Sequence, residues 1–144
     1  MKFSVNQQDL QKSLGYCQGV IEKRSTLPIL SNILIEAANS KLKITATDLD
    51  LIFVNEISNI KIFDEGKTTT SSSIMFDIVR KIPSGSQINF ENTGESKLQL
   101  ESNKSLFNLN SINASEFPIT DENFNENEFT INSKDLLKLL NKCK

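Results

Sequence analysis

One short sequence occurs twice in this chain, and no other feature limits its fold as much. Residues 3–14 read Phe-Ser-Val-Asn-Gln-Gln-Asp-Leu-Gln-Lys-Ser-Leu, and residues 129–140 read Phe-Thr-Ile-Asn-Ser-Lys-Asp-Leu-Leu-Lys-Leu-Leu. Six of the twelve positions are identical without a gap: Phe3/Phe129, Asn6/Asn132, Asp9/Asp135, Leu10/Leu136, Lys12/Lys138 and Leu14/Leu140. Ser4/Thr130 and Val5/Ile131 are close chemical matches. In each copy a short strand runs into an asparagine cap and then an amphipathic helix. The offset of 126 residues is about one domain, so the repeat unit is a domain, and the chain runs 18 residues into a second unit (144 − 126).

Charge is distributed unevenly around a net of −2. Residues 1–24 carry Lys2, Lys12, Lys23 and Arg24 against Asp9 and Glu22, a net of +2. Residues 114–128 carry Glu116, Asp121, Glu122, Glu126 and Glu128 and no base, a net of −5, while residues 133–144 carry four lysines against Asp135, a net of +3. Basic groups thus collect on predicted helices and acidic ones in a connector, which argues against a uniformly basic nucleic-acid binder. Cys17 and Cys143 are the only cysteines and suggest no disulfide framework, so a reducing compartment is expected. Polar residues follow Met-Lys-Phe where a signal peptide would be apolar, and no run approaches a membrane span. The expected location is cytoplasmic, with no membrane partner.

Along the chain, a strand at Phe3–Val5 leads to Asn6 as cap and a helix whose apolar stripe is Leu10, Leu14, Cys17 and Ile21. Gly15 and Gly19 weaken it and would permit close packing against a neighbour. After Pro28, strands are expected over 32–37, 41–47 and 49–57, with 60–63 a fourth segment or an extension of the third. A strand over 68–71 then leads to a helix capped by Ser72 or Ser73, with Met75, Ile78, Val79 and Ile82 on one face, and three more strands over 87–91, 97–101 and 106–112. The order is β-α-β-β-β twice. It implies an α+β fold with two helices over one side of a mostly antiparallel sheet. Residues 1–118 form this domain, 119–128 an acidic connector, and 129–144 the start of a second domain, opening with a strand at Phe129–Ile131 and a helix capped by Asn132.

Most catalytic chemistry is missing. There is no histidine, no zinc-spaced cysteine pair and no glycine-rich phosphate loop. No cofactor is implied. Asp48 and Asp50, at i, i+2 on a strand, would share a face and could hold Mg²⁺; the alternative is a turn or strand-end pair. Binding is the stronger theme. Lys12 with Lys23 and Arg24, then Arg80 with Lys81, then Lys134, Lys138 and Lys142 lie off the apolar stripes of three helices and would face a polyanion, unless each is an ordinary solvated face.

The segment Arg24-Ser25-Thr26-Leu27-Pro28-Ile29-Leu30-Ser31-Asn32 resembles the helix-to-strand loop of the bacterial β sliding clamp family, the processivity subunit of the replicative DNA polymerase. So do the opening Met1-Lys2-Phe3, Thr45-Ala46-Thr47-Asp48-Leu49, Phe76-Asp77-Ile78 with Arg80, and Glu116-Phe117-Pro118. The five pieces stand in family order over nearly the whole chain. The resemblance implies a DNA-clamp fold, three such domains per chain, and two chains closed head to tail into a ring around duplex DNA. Helices would line the hole and sheets the wall. Such a ring does no chemistry. It tethers polymerase by topology, so a few salt-sensitive phosphate contacts suffice and no base need be read.

The resemblance also assigns residues. Arg24 matches the family's DNA-contacting arginine, the alternative being a surface ion pair with Glu22. Lys12, Arg80, Lys23 and Lys138 follow from their helix positions. At Ser73 the family often has a basic residue. Phe107 and Leu109 match apolar positions on the edge strand that meets a partner subunit, with Lys104 just upstream; the alternative is ordinary core. The family's pocket for polymerase and clamp-loader peptides lies in later domains that these 144 residues lack, so two copies of this chain would not close the usual ring. Three readings therefore stand: a clamp segment, a truncated clamp product without ring function, and an Asp48/Asp50 metal-binding module.

Overall fold

Asn6 ends one element and starts the next. It closes β1 (Lys2–Asn6), and its Oδ1 accepts a hydrogen bond from Gln8 N at 2.9 Å to cap α1 (Gln7–Cys17). The computed structural model describes residues 1–21, 27–94, 96–118 and 130–143. After a 3-10 turn at Pro28–Ser31 come β2 (Asn32–Ala38), β3 (Lys41–Thr47), β4 (Ile52–Ile57), β5 (Ile60–Asp64) and β6 (Gly66–Ser71). The second helix, α2 (Ser72–Val79), precedes β7 (Gln87–Asn92), β8 (Lys97–Ser102) and β9 (Ser105–Asn110). A last helix, α3, spans Ser133–Lys142.

The β-α-β-β-β unit is present twice, as β1-α1-β2-β3-β4 and β6-α2-β7-β8-β9. The expected single sheet is instead two antiparallel sheets, ordered β5-β1-β7-β8-β9 and β4-β3-β2-β6. The reason is an exchange. The first strand of each half pairs with the second strand of the other half: β1 with β7, and β6 with β2. Phe3 therefore lies opposite Phe90, their rings stacked with centroids 4.8 Å apart. Periodicity reports which residues are inside, but it does not say which half supplies the neighbouring strand. The segment at 60–63 is an independent strand, because the chain leaves one sheet after β4 and β5 joins β1 in the other.

One core joins both sheets and both helices. Leu10, Leu14 and Cys17 from α1 and Met75 and Val79 from α2 pack with Ile33, Ile35, Ile44, Ile88, Leu98 and Leu100. The two helices run antiparallel. Gln7 Nε2 near the start of α1 donates to Val79 O at 2.8 Å, and Gln18 Nε2 just past its end donates to Ser72 Oγ at 2.8 Å. The other face of β2 is covered separately, with Leu34 against Ala114 and Phe117. That packing holds Glu116-Phe117-Pro118 to the domain.

Several local expectations shift. Both helices end a turn early, because i→i−3 bonds such as Val20 N to Cys17 O and Ile82 N to Val79 O tighten the chain. Ile21 and Ile82 thus pack on the core from beyond their helices. The cap residue of α2 is Ser71, without a side-chain capping bond. Neither Gly15 nor Gly19 is needed for close approach, since an added Cβ would meet Phe76 Cε2 at 3.8 Å or Tyr16 O at 3.5 Å. Glycine is required at Gly66, where φ is +155° and a Cβ would lie 3.0 Å from that of Met1. Asn39 and Ser40, with φ of 50° and 59°, make a two-residue turn between β2 and β3. Residues 130–131 form no strand, for no described strand lies beside them to pair with. Phe129 and the connector at 119–128 lie outside the described residues.

Candidate nucleic-acid interface

Paired antiparallel helices leave one groove between them. Their inner stripes go to the core, and Gln8, Gln11, Lys12 and Gly15 from α1 line an open groove of about 410 Å³ with Phe76 and Ser84. Lys12 is exposed and makes no ion pair among the described residues. Arg80 stands just past α2. Its Nη2 meets Asp77 Oδ1 at 3.0 Å, and its guanidinium lies 5.9 Å from the Phe76 ring centroid. Phe76 thus lines the groove with Lys12 and lies under Arg80. Exposed Lys81 follows directly. Ser73 is exposed on α2 and adds no charge.

Two of the other expected contacts cannot be placed, because Arg24 and Lys23 lie outside the described residues. Lys138 stands on α3, where its Nζ is 3.9 Å from Asp135 Oδ1; no residue of that helix is buried. No described contact brings it to the groove.

The edge-strand residues divide. β9 is the outer strand of its sheet. Leu109 points into the core and is buried, Phe107 is half-buried against the same core, and Leu106 is exposed on the other face. Lys104 is exposed in the turn before β9. What β9 offers a partner is therefore its free backbone edge, with Phe107 and Leu109 bracing it from behind. By the internal symmetry β4 is its counterpart as an outer strand of the other sheet, and β5 and β6 are the remaining outer strands.

Asp48 and Asp50 do not share a strand face. They occupy the turn between β3 and β4, where Asp48 Oδ1 accepts from Asp50 N at 3.1 Å and from Leu51 N at 2.7 Å. The turn holds Leu49 at φ 84°, which an L residue adopts only when its surroundings impose it. The carboxylate that a metal would need is already forming the turn. No cluster of three metal-ligating side chains occurs among the described residues. Burial pushes the Cys17 thiol up to about 12, so this cysteine is packing and not a nucleophile. No helix among the described residues is long and apolar enough to cross a membrane.

Sequence reasoning missed a second cleft on the far side of Lys12, lined by Asp9, Ser13, Tyr16, Asn55 and Ser58. Its one available signal was Tyr16 four residues after Lys12, on the same helix face.

Residues 1–121 match the family described as DNA polymerase III beta subunit, N-terminal domain. The beta sliding clamp of Caulobacter vibrioides is 32% identical over 145 residues, covering 100% of this chain and 39% of the relative. That of Escherichia coli K12 is 35% identical over 140 residues, covering 97% of this chain and 38% of the relative. Among solved structures, Caulobacter crescentus pol III beta superposes with a TM-score of 0.92 at 33% identity, over 99% of this chain and 38% of that one. The Pseudomonas aeruginosa DNA polymerase III subunit beta also gives 0.92, at 29% identity over 98% and 38%. The chain therefore spans about two-fifths of the length of these relatives. With matching fold and sequence, it belongs to the DNA polymerase III beta subunit family, at that family's N-terminal domain.

Proposed function

We propose that this chain is the first domain of a DNA sliding clamp, a non-catalytic cytoplasmic ring that encircles duplex DNA and tethers the replicative polymerase. The observation that carries the reading is the helix pair of a clamp-family domain, with Lys12 lining an open groove beside Phe76 and with Arg80, over that same ring, and Lys81 exposed at the end of the second helix. Among the described residues, only Arg80 of the three is tied to an acid. A few cations of this kind suit a ring. Affinity falls with salt by a log–log slope of about −0.9 per neutralised phosphate, so two or three contacts let the ring slide while its closure prevents escape. With a net charge of −2 the body as a whole offers DNA no strong attraction, so local positive charge at this face decides where contact is made.

Arg24 and Lys23 join the proposed contact set from sequence alone, and Lys138 would join it from a second domain. Residues 1–118 are proposed as the domain, 119–128 as connector and 129–144 as the start of the next domain. The exposed leucines of α3 support this, because they lack the sheet that would cover them. The symmetry-related outer strands β4 and β9 suit head-to-tail growth of a ring. β9, with Phe107, Leu109 and Lys104, would meet the partner subunit, and polymerase and clamp loader would bind later domains. The test is retention on plasmid DNA by the full-length gene product. It is expected to stay on closed circles and to be lost after linearisation. Equal retention on both forms would refute the ring.

A further inference from the structure

We propose that the cleft beside α1 takes an unstacked base of single-stranded DNA, with Tyr16 as its stacking platform. The proposal rests on the duplex-DNA reading and adds a separate subsite to it. The cleft measures about 540 Å³ and is lined by Asp9, Lys12, Ser13, Tyr16, Asn55 and Ser58 among others. Tyr16 is 53% exposed, an unusual position for the chain's one tyrosine. Its ring is braced against Phe53 at 5.9 Å between centroids and a 53° tilt, which leaves its remaining surface open to the cleft. A ring held in this way loses little freedom when a base stacks on it.

Charge and polarity favour a base over a backbone here. Asp9 makes no ion pair among the described residues. Glu56, at the cleft's other wall, is hydrogen-bonded by Lys41 at 2.6 Å, and that ammonium holds its carboxyl below the usual carboxylate range. Glu56 is thus neutralised by its lysine, while Asp9 repels phosphate and, as a carboxylate, accepts the amino group of cytosine. Asn55 Nδ2 donates to buried Ser13 Oγ at 2.9 Å, which fixes the amide and leaves its oxygen for a base edge. The phosphate belongs to Lys12. It lines both this cleft and the inter-helix groove, and it lies one turn from Tyr16 on the same face. A strand held by its phosphate at Lys12 thus has a neighbouring base within reach of Tyr16. Aromatic stacking combined with a cation is how single strands are bound without strict sequence reading.

Because the chain has one tyrosine and no tryptophan, its emission reports on this cleft alone. The purified chain is titrated at low salt with a short cytosine-rich single strand, and separately with the duplex of that strand and its complement. Each strand carries a dye, so that binding is read by anisotropy independently of the tyrosine. The single strand is expected to quench tyrosine emission saturably. Tyr16→Ser is expected to lower single-strand affinity about tenfold, and Tyr16→Phe, which keeps a stacking ring, to hold it within about twofold. A single strand that binds without quenching, or a Tyr16→Ser chain that binds as tightly as the parent, would overturn the subsite; normal duplex binding in the same series would leave the clamp reading intact. Failure of the single strand to bind would overturn the subsite alone, because the clamp reading places retention in ring closure and is decided by the plasmid test on the full-length product.

Discussion

Helices α1 and α3 share a sequence and differ in what surrounds it. Asn6 Oδ1 caps α1 through Gln8 N at 2.9 Å, and Asn132 Oδ1 caps α3 through Lys134 N at 3.0 Å. Each has an aspartate in its first turn, and the matching register continues to Cys17 and Cys143, again 126 residues apart. Yet Leu10 and Leu14 are 1% and 0% exposed, while Leu136 and Leu140 are 41% and 58% exposed. The cap and the helix start are local properties, set within a few residues. Burial is not local, since α1 needs strands from both halves of the domain to cover its leucines. A ten-residue helix without such cover is marginal in water.

The two cysteines offer the sharpest contrast. Cys17 is buried and Cys143 exposed, and raising a thiol from 9.0 to about 12 removes about a thousandfold of its thiolate near neutral pH. A thiol reagent is expected to label Cys143 promptly and Cys17 only after unfolding, as read by mass spectrometry of digested protein. Equal labelling would mean that α1 is no better covered than α3. The same burial makes stability depend on alkaline pH. Below pH 9 the Cys17 thiol is protonated in both states and contributes no slope. Between 9 and about 12 the unfolded chain gives up the proton and the folded chain keeps it. Stability should then fall by about 1 kcal/mol per pH unit relative to Cys17→Ala. Parallel stability curves for the two proteins would place the thiol in contact with water.

Truncating matched leucines is the next test. Leu14→Ala opens a cavity in a closed core and should cost about 2–5 kcal/mol in urea unfolding. Leu140→Ala removes exposed surface and should change global stability by less than about 0.5 kcal/mol. A comparable loss at both positions would show that α3 docks on the domain in solution.

The contrast also explains what the sequence could reveal. Leu10, Leu14 and Cys17 were legible as a buried stripe because their spacing carries the signal. Leu136 and Leu140 carry the same signal and remain exposed, because spacing encodes which face seeks cover and not whether cover exists. The exchange of β1 and β6 between halves was hidden for a similar reason: Phe3 would look the same whether it paired with its own half or with Phe90. At the candidate site, Lys12 and Arg80 were visible as bases off an apolar stripe. That Lys12 shares a groove with Phe76, the ring under Arg80, was not, since it depends on the antiparallel packing of helices some 60 residues apart in the chain. Asp48 was misleading as a metal ligand because a carboxylate that forms a turn and one that binds a cation occupy the same kind of sequence.

Changing the caps gives the smallest effect and tests the comparison where the two helices are most alike. Asn6→Ala and Asn132→Ala each remove one side-chain oxygen from a backbone N–H of a first helical turn. In α1 that turn is joined to the body, for Gln7 N donates to Ser86 O at 2.9 Å and the Gln7 amide reaches Val79 O. Losing its cap should cost about 1 kcal/mol of global stability. In α3 the same loss should leave the urea midpoint of the domain unchanged and appear only as faster amide exchange over 134–142, because a segment that buries nothing opens without opening the core. If Asn132→Ala lowered the midpoint as much as Asn6→Ala, the two caps would belong to one cooperative unit, and the division between a closed first domain and an uncovered start of the next would have to be given up.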